Sequence, residues 1–204
     1  CLCPEIKITP EDVKYILSSH FQGTPYDCYG KYGDEKNRGK YRPIGISRNN
    51  FLSLVQIRPD VPKEYAAIEW ISFGSNTFNT FVPFYANVDK TPEYLANTTH
   101  RVTTESFYWV NRIIAALADA KYSECKMHIE RYQGKVPTRG YTLMKELEEK
   151  LEKKMPKKAA LIKLLEDCNE EIARMVQEET DAVLDKVLFE VSCKMKNGFG
   201  RSDA

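Results

Sequence analysis

The 204-residue chain contains no apolar run approaching the about 20 residues that a membrane-spanning helix needs. It has no Cys-x-x-Cys pair. Its three histidines, His20, His100 and His128, lie far apart, and none has a second ligand at zinc-like spacing. Net charge is almost absent too, with 30 Lys and Arg against 29 Asp and Glu leaving +1. These absences remove the grounds for a helical membrane span, for a local zinc motif, and for electrostatic attraction to nucleic acid or an anionic membrane. The opening residues Cys1-Leu2-Cys3-Pro4-Glu5 lack the charged start and apolar stretch of a secretory signal. The expectation is a cytoplasmic protein, with export through a cleaved signal left open.

What is present is ordinary for a globular chain: 42% hydrophobic and 29% charged residues, enough for one domain, or one domain with a helical appendage. Cys1, Cys3, Cys28, Cys125, Cys168 and Cys193 make an even number, but a chain of this length builds a core without disulfides. Thr9-Pro10-Glu11-Asp12 reads as a helix start, with a capping hydroxyl, proline at the first turn and two acids at the positive end of the dipole. That helix is expected to end near Ser18-Ser19-His20. Residues 21–45 then form a long loop punctuated by Gly23, Pro25, Gly30, Gly33, Gly39, Pro43 and Gly45. The loop also carries Tyr26, Tyr29, Tyr32 and Tyr41, more aromatic residues than a disordered linker spends.

Three short runs, Phe51–Ile57, Tyr65–Phe73 and Thr80–Tyr85, predict adjacent antiparallel strands, with Pro83 at an edge or bulge. Thr103 or Thr104 then caps a helix whose core stripe is Val110, Ile113, Ile114, Leu117 and Ala118. A second helix is marked by Met144, Leu147 and Leu151 and ends near Pro156. A third runs from about Pro156 to Lys196, with a glycine stop in Asn197-Gly198-Phe199-Gly200. So long a helix needs a helical partner, within the chain or across a dimer. These elements define an α+β protein.

Several motifs occur in an order that carries a resemblance. They are Thr9-Pro10-Glu11-Asp12-Val13, Leu17 through Asp27 (with His20-Phe21-Gln22-Gly23-Thr24-Pro25-Tyr26), and Tyr41 through Asn49. They continue with Gln56-Ile57-Arg58-Pro59, Pro83-Phe84-Tyr85 and Glu105 through Val110. Over residues 5 to 120 this string resembles the second half of the bacterial dipeptidase-A family. The resemblance implies part of a four-layer αββα N-terminal-nucleophile hydrolase fold, here with a long helical C-terminal extension. The implied division is residues 1–120 as the C-terminal portion of a catalytic domain and residues 121–204 as the extension.

The resemblance further implies a cysteine-type enzyme acting on dipeptides without metal or organic cofactor, the nucleophile being the first residue of the mature enzyme. Cys1 is not read as that nucleophile. The residues after it fit no strand, and a capped helix starts within a few positions. The catalytic thiol is expected from polypeptide upstream, so no catalytic residue is assigned within these 204. His20, Asp27, Arg42 and Arg48 are the candidate substrate-binding residues. His20 binds substrate or complements a helix dipole. Asp27 meets a substrate amine or caps a turn. An arginine fork at Arg42 or Arg48 receives a dipeptide carboxylate or pairs with a surface acid. Asn76 and Thr80 line a pocket or shape a turn. Cys28 is a reactive thiol or an incidental one, and Cys125, Cys168 and Cys193 are read as packing residues. The expected partners are a dipeptide in the full-length enzyme and further copies of the chain as a homo-oligomer, without nucleic acid or membrane. The alternative reading is a non-catalytic, helix-rich assembly module that dimerises through the long C-terminal helix.

Overall fold

The computed structural model describes residues 7–31 and 34–196. The expectations for Cys1, Cys3, Tyr32, Gly33 and the Asn197–Gly200 stop lie outside the described residues. In chain order the elements are α1 (Pro10–Leu17), β1 (Phe51–Ile57), β2 (Ala67–Phe73), β3 (Val82–Tyr85), α2 (Glu93–Ala96), α3 (Phe107–Ala120), α4 (Tyr122–Lys153) and α5 (Lys158–Ser192). The architecture is α+β around one three-stranded antiparallel sheet of order β1-β2-β3. β1 pairs with β2 from Phe51↔Phe73 to Ile57↔Ala67, and β2 with β3 from Ile68↔Tyr85 to Ile71↔Val82.

The first helix begins as its residues dictate. Asp12 N donates to Thr9 Oγ1 at 3.2 Å, and Thr9 N donates to Asp12 Oδ2 at 2.8 Å, a reciprocal capping box. The helix after residue 103 starts later than expected. Thr103 Oγ1 accepts from the nearby Glu105 N, and the chain enters α3 at Phe107 behind a buried Ser106. The side chain of a threonine has satisfied the turn before the helix rather than the helix itself. α4 is the larger difference. It starts 22 residues before Met144 and runs through Gly134, Pro137 and Gly140. Pro137 removes one helical donor. Burial of Cys125, Ile129, Tyr132, Val136 and Met144 along the same face outweighs that local penalty.

α4 and α5 form an antiparallel hairpin, with Arg139 paired to Glu179 and His128 Nε2 lying 3.5 Å from Glu190 Oε1. The long C-terminal helix therefore has its partner within the chain. Its buried stripe is Leu161, Leu165, Cys168, Ile172, Met175, Val176, Val183 and Val187. Leu164 and Leu188 lie exposed at its margin. Cys125 and Cys168 are packing residues as expected. Cys193, at the C-terminal cap of α5, is exposed because the buried stripe has already ended.

The hairpin closes one edge of the sheet. β3 is an edge strand, where Pro83 was expected. α4 approaches it at Gly140, where a Cβ would come within 2.9 Å of the Pro83 ring. From α5, Asn169 supplies its amide to the strand. Tyr85 N donates to Asn169 Oδ1 at 2.9 Å, and Asn169 Nδ2 donates to Tyr85 O at 3.0 Å, both buried. The side chain thus behaves as a further strand of one residue. Glu148 of α4 gathers two of the sequence motifs, accepting from Arg58 Nη2 at 2.7 Å and from Tyr85 Oη at 3.0 Å. One contiguous buried cluster runs from Tyr65 to Val187, with Trp70, Val82, Phe107, Val110 and Ile114 at its centre.

The opposite edge is different. β1 alternates exposed and half-buried residues, with Phe51, Val55 and Ile57 at 55%, 58% and 66% exposure. Asn169→Leu is expected to strand the Tyr85 N–H and C=O in the core. A loss of about 2–4 kcal/mol, one unmade bond at each group, should appear as a lowered urea midpoint.

Candidate functional site

The segment between α1 and β1 carries all four candidate residues. The chain leaves α1 at Ser18 and reverses at Phe21, whose φ of 63° is the one positive value among described non-glycine residues. That conformation costs about 1–2 kcal/mol, and aromatic packing offsets it. Phe21 lies 6.5 Å from Tyr26 and 6.3 Å from Tyr41, and those two tyrosine rings are 4.9 Å apart. Backbone turns follow in series, Thr24 N to Phe21 O, Asp27 N to Thr24 O and Gly30 N to Asp27 O. Gly30 is required there, since a Cβ would fall 2.8 Å from that of Asp27.

This winding brings His20 and Asp27 together, both buried, with Nδ1 and Oδ1 2.8 Å apart. His20 Nε2 lies 3.3 Å from the hydroxyl of Tyr122, 102 residues away at the start of α4. Burial, with the Asp27 charge adding to it, pushes the Tyr122 pKa up to about 12, so its hydroxyl stays a donor. The partners assign Nδ1–H to His20, directed at Asp27, and leave Nε2 as acceptor. Tyr29 stacks on Tyr122 at 4.2 Å and donates its hydroxyl to Asp119. His20 thus faces a carboxylate and a phenol rather than the end of α1.

Arg42 and Arg48 are not brought to that pair. Both are exposed, and neither forms an ion pair among the described residues. The backbone between them is held firmly. Gly45 N donates to Ser19 O at 2.8 Å, Thr77 Oγ1 donates to Gly45 O at 2.7 Å, and Arg112 donates to Ser47 O. A side chain at position 45 would sit 2.3 Å from Ser18 O, which explains the glycine in that motif. Asn76 and Thr80 are buried in the turn after β2. Asn76 Nδ2 donates to Leu17 O at 3.4 Å, so its side chain fastens the turn to α1.

Beside the His20–Asp27 pair is a cavity of about 430 Å³ between α1 and α4, lined by Lys14, Ser18, His20, Trp70, Tyr122 and Gln133 among others. Lys14 Nζ donates to Ser18 Oγ at 2.7 Å and to Asn76 O at 2.6 Å. Burial lowers its pKa to about 7. Lys14 and Tyr122 escaped the sequence reading. Nothing local marks a lysine on a short capped helix, and the Tyr122 contact exists only in three dimensions.

Cys28 is exposed and next to the pair. Partial burial, then the charge of Asp27, raises its thiol pKa. His20 is nearby, but both ring nitrogens are already engaged, so neither is placed to activate the thiol. A ring nitrogen of His20, an Asp27 carboxylate oxygen and Cys28 Sγ lie within 4.8 Å of one another, a donor set that could hold a metal ion. No helix among the described residues is long and apolar enough to cross a membrane.

An α+β unit with a closed helical flank, a strand edge that no other strand covers among the described residues, and a tightly wound polar loop is the class of molecule this geometry defines. The model of peptidase family C69 matches residues 1–135. The chain is 42% identical to a dipeptidase of Bifidobacterium longum, over 98% of this chain and 44% of that protein. It is 43% identical to a probable dipeptidase A of Streptococcus pyogenes serotype M18, over 100% of this chain and 42% of that protein. It is 46% identical to dipeptidase A of Lactobacillus helveticus, over 56% of this chain and 24% of that protein. The chain belongs to peptidase family C69, the bacterial dipeptidase-A family. It spans less than half the length of these relatives.

Lys14 makes a pH test of the cavity. Unfolded, its amine holds a proton up to about 10.5; folded, it releases it near 7. The unfolded chain therefore binds the extra proton between those values, and stability rises with pH across that window. The expected rise from pH 7 to pH 9 is about 2 kcal/mol. Urea melts of Lys14→Met at the two pH values should lack most of this increment.

Proposed function

We propose that this chain is the C-terminal segment of a cysteine-type dipeptidase whose nucleophile comes from polypeptide outside these 204 residues. The observation that carries this reading is the outer edge of β1, which pairs with no strand among the described residues, with Phe51, Val55 and Ile57 exposed on one face of the strand. An unpaired edge with apolar side chains is a surface made for further strands. The opposite edge is sealed by Asn169, so growth of the sheet has one direction available. Relatives named dipeptidases are more than twice as long as the chain, which supplies the length for such strands.

In this reading the added polypeptide completes an αββα N-terminal-nucleophile fold. Residues 1–120 supply part of the catalytic domain, and residues 121–204 form the helical extension that backs the sheet. No metal or organic cofactor is needed for attack by an activated thiol. The substrate is a dipeptide. Asp27, ordered by His20, offers a carboxylate toward a substrate amine, and the exposed Arg42 and Arg48 offer guanidinium groups to its free carboxylate.

The test compares the 204-residue chain with the longer polypeptide. Amino-acid release from a dipeptide panel should stay at background for the chain alone and appear for the longer form. Turnover by the chain alone that vanishes in Cys1→Ala would overturn the assignment. By itself the chain is expected to self-associate through β1. Sedimentation velocity should show species larger than a monomer, shifted to monomer by Val55→Lys with Ile57→Lys; a monomer at high concentration in the unmodified chain speaks against it.

A further inference from the structure

We propose that His20, Asp27 and Cys28 form a binding site for one zinc-type divalent cation. The three donor atoms, an imidazole nitrogen, a carboxylate oxygen and a thiol sulfur, already lie within 4.8 Å of one another. Tetrahedral zinc, with bonds of about 2.0–2.3 Å, sets neighbouring ligand atoms about 3.3–3.7 Å apart. Small side-chain rotations close the remaining gap. A mixed nitrogen, oxygen and sulfur set suits zinc and disfavours magnesium or calcium, which take oxygen.

The site is built rather than assembled by chance on a loose loop. The reversal at Phe21 and the three successive backbone turns fix the path from His20 to Gly30. Tyr29 N donates to Asp27 Oδ1 at 2.9 Å, which orients the carboxylate. The Tyr122 hydroxyl meets His20 Nε2 at 3.3 Å, and its ring is stacked on Tyr29. A metal-binding histidine is ordinarily held by such a partner on its other nitrogen. His20 and Asp27 are buried whereas Cys28 is exposed, so the ion enters from the Cys28 side and a water completes the fourth position.

Binding is balanced in protons and charge. The ion forms bonds to His20 Nδ1, Asp27 and Cys28 Sγ. The ring proton shifts from Nδ1 to Nε2, where the Tyr122 oxygen accepts its hydrogen bond, and the thiol proton passes to water. The short His20–Asp27 hydrogen bond is replaced by ligation of both partners. The site uses the same His20 and Asp27 that the dipeptidase reading gives to the substrate amine, so metal and amine exclude one another there; the test measures metal binding alone, and its failure leaves the dipeptidase reading standing.

The test uses the 204-residue chain with Cys1→Ser, Cys3→Ser and Cys193→Ser, which removes thiols other than Cys28 and the buried Cys125 and Cys168. Titration with Co²⁺ should give one equivalent with a thiolate-to-cobalt charge-transfer band and the visible bands of a four-coordinate centre, both bleached by one equivalent of Zn²⁺. Cys28→Ser, at an exposed position, should abolish the charge-transfer band without unfolding the chain. Tyr122→Phe should keep the band and weaken Co²⁺ binding about tenfold. Absence of a saturable band, or a band that survives Cys28→Ser, overturns the proposal.

Discussion

The two hydrogen bonds between the Asn169 amide and the Tyr85 backbone decide how the sheet is finished, and the sheet decides where everything else sits. A three-stranded sheet has two edges that demand partners. At β3 the demand is met by a side chain rather than a strand, which needs α5 pressed against the edge along its length. That pressure is possible because α4 is bare at Gly140 and because the α4–α5 hairpin carries its own buried stripe. At β1 no such closure occurs among the described residues, and Phe51, Val55 and Ile57 lie exposed on one face of the strand.

At the other end, the wound loop is anchored by contacts that reach far along the chain. His20 and Asp27 form its centre, and Tyr122 pins that centre to α4. Lys14 fastens α1 to the turn after β2 through the Asn76 carbonyl, and Gly45 lets the later loop lie directly on Ser18. The described residues of the loop are therefore tied to α1, α4 and the turn after β2, with Arg42 and Arg48 outward and His20 and Asp27 inward. A polar pair held this firmly beside a cavity and an exposed thiol invites a ligand, whether organic or metallic.

Much of this was legible in the residues. Helix α1, its capping box and its end at Ser18 were readable because capping is a local hydrogen-bond exchange between Thr9 and Asp12. The three strands and the edge position of Pro83 were readable because turn residues and a missing donor act over a few positions. The motif string identified the family, and membership is shown by the match to residues 1–135. Two boundaries were not readable. The α3 cap moved because Thr103 closed its own turn, and α4 ran through Pro137 because burial along one face outweighed one lost hydrogen bond.

The sequence by itself determined the class of fold, the family, the position of the long loop and the charge balance. All of these rest on short-range propensity or on an ordered string of motifs. Only the tertiary structure decided that His20 meets Asp27 and Tyr122, that Cys28 completes a donor set, that Arg42 and Arg48 stay in solvent, and that Lys14 is half-buried against Ser18 and Asn76. Such contacts join residues as far as 102 positions apart, and no local pattern encodes a meeting that exists only once the helices have packed on the sheet.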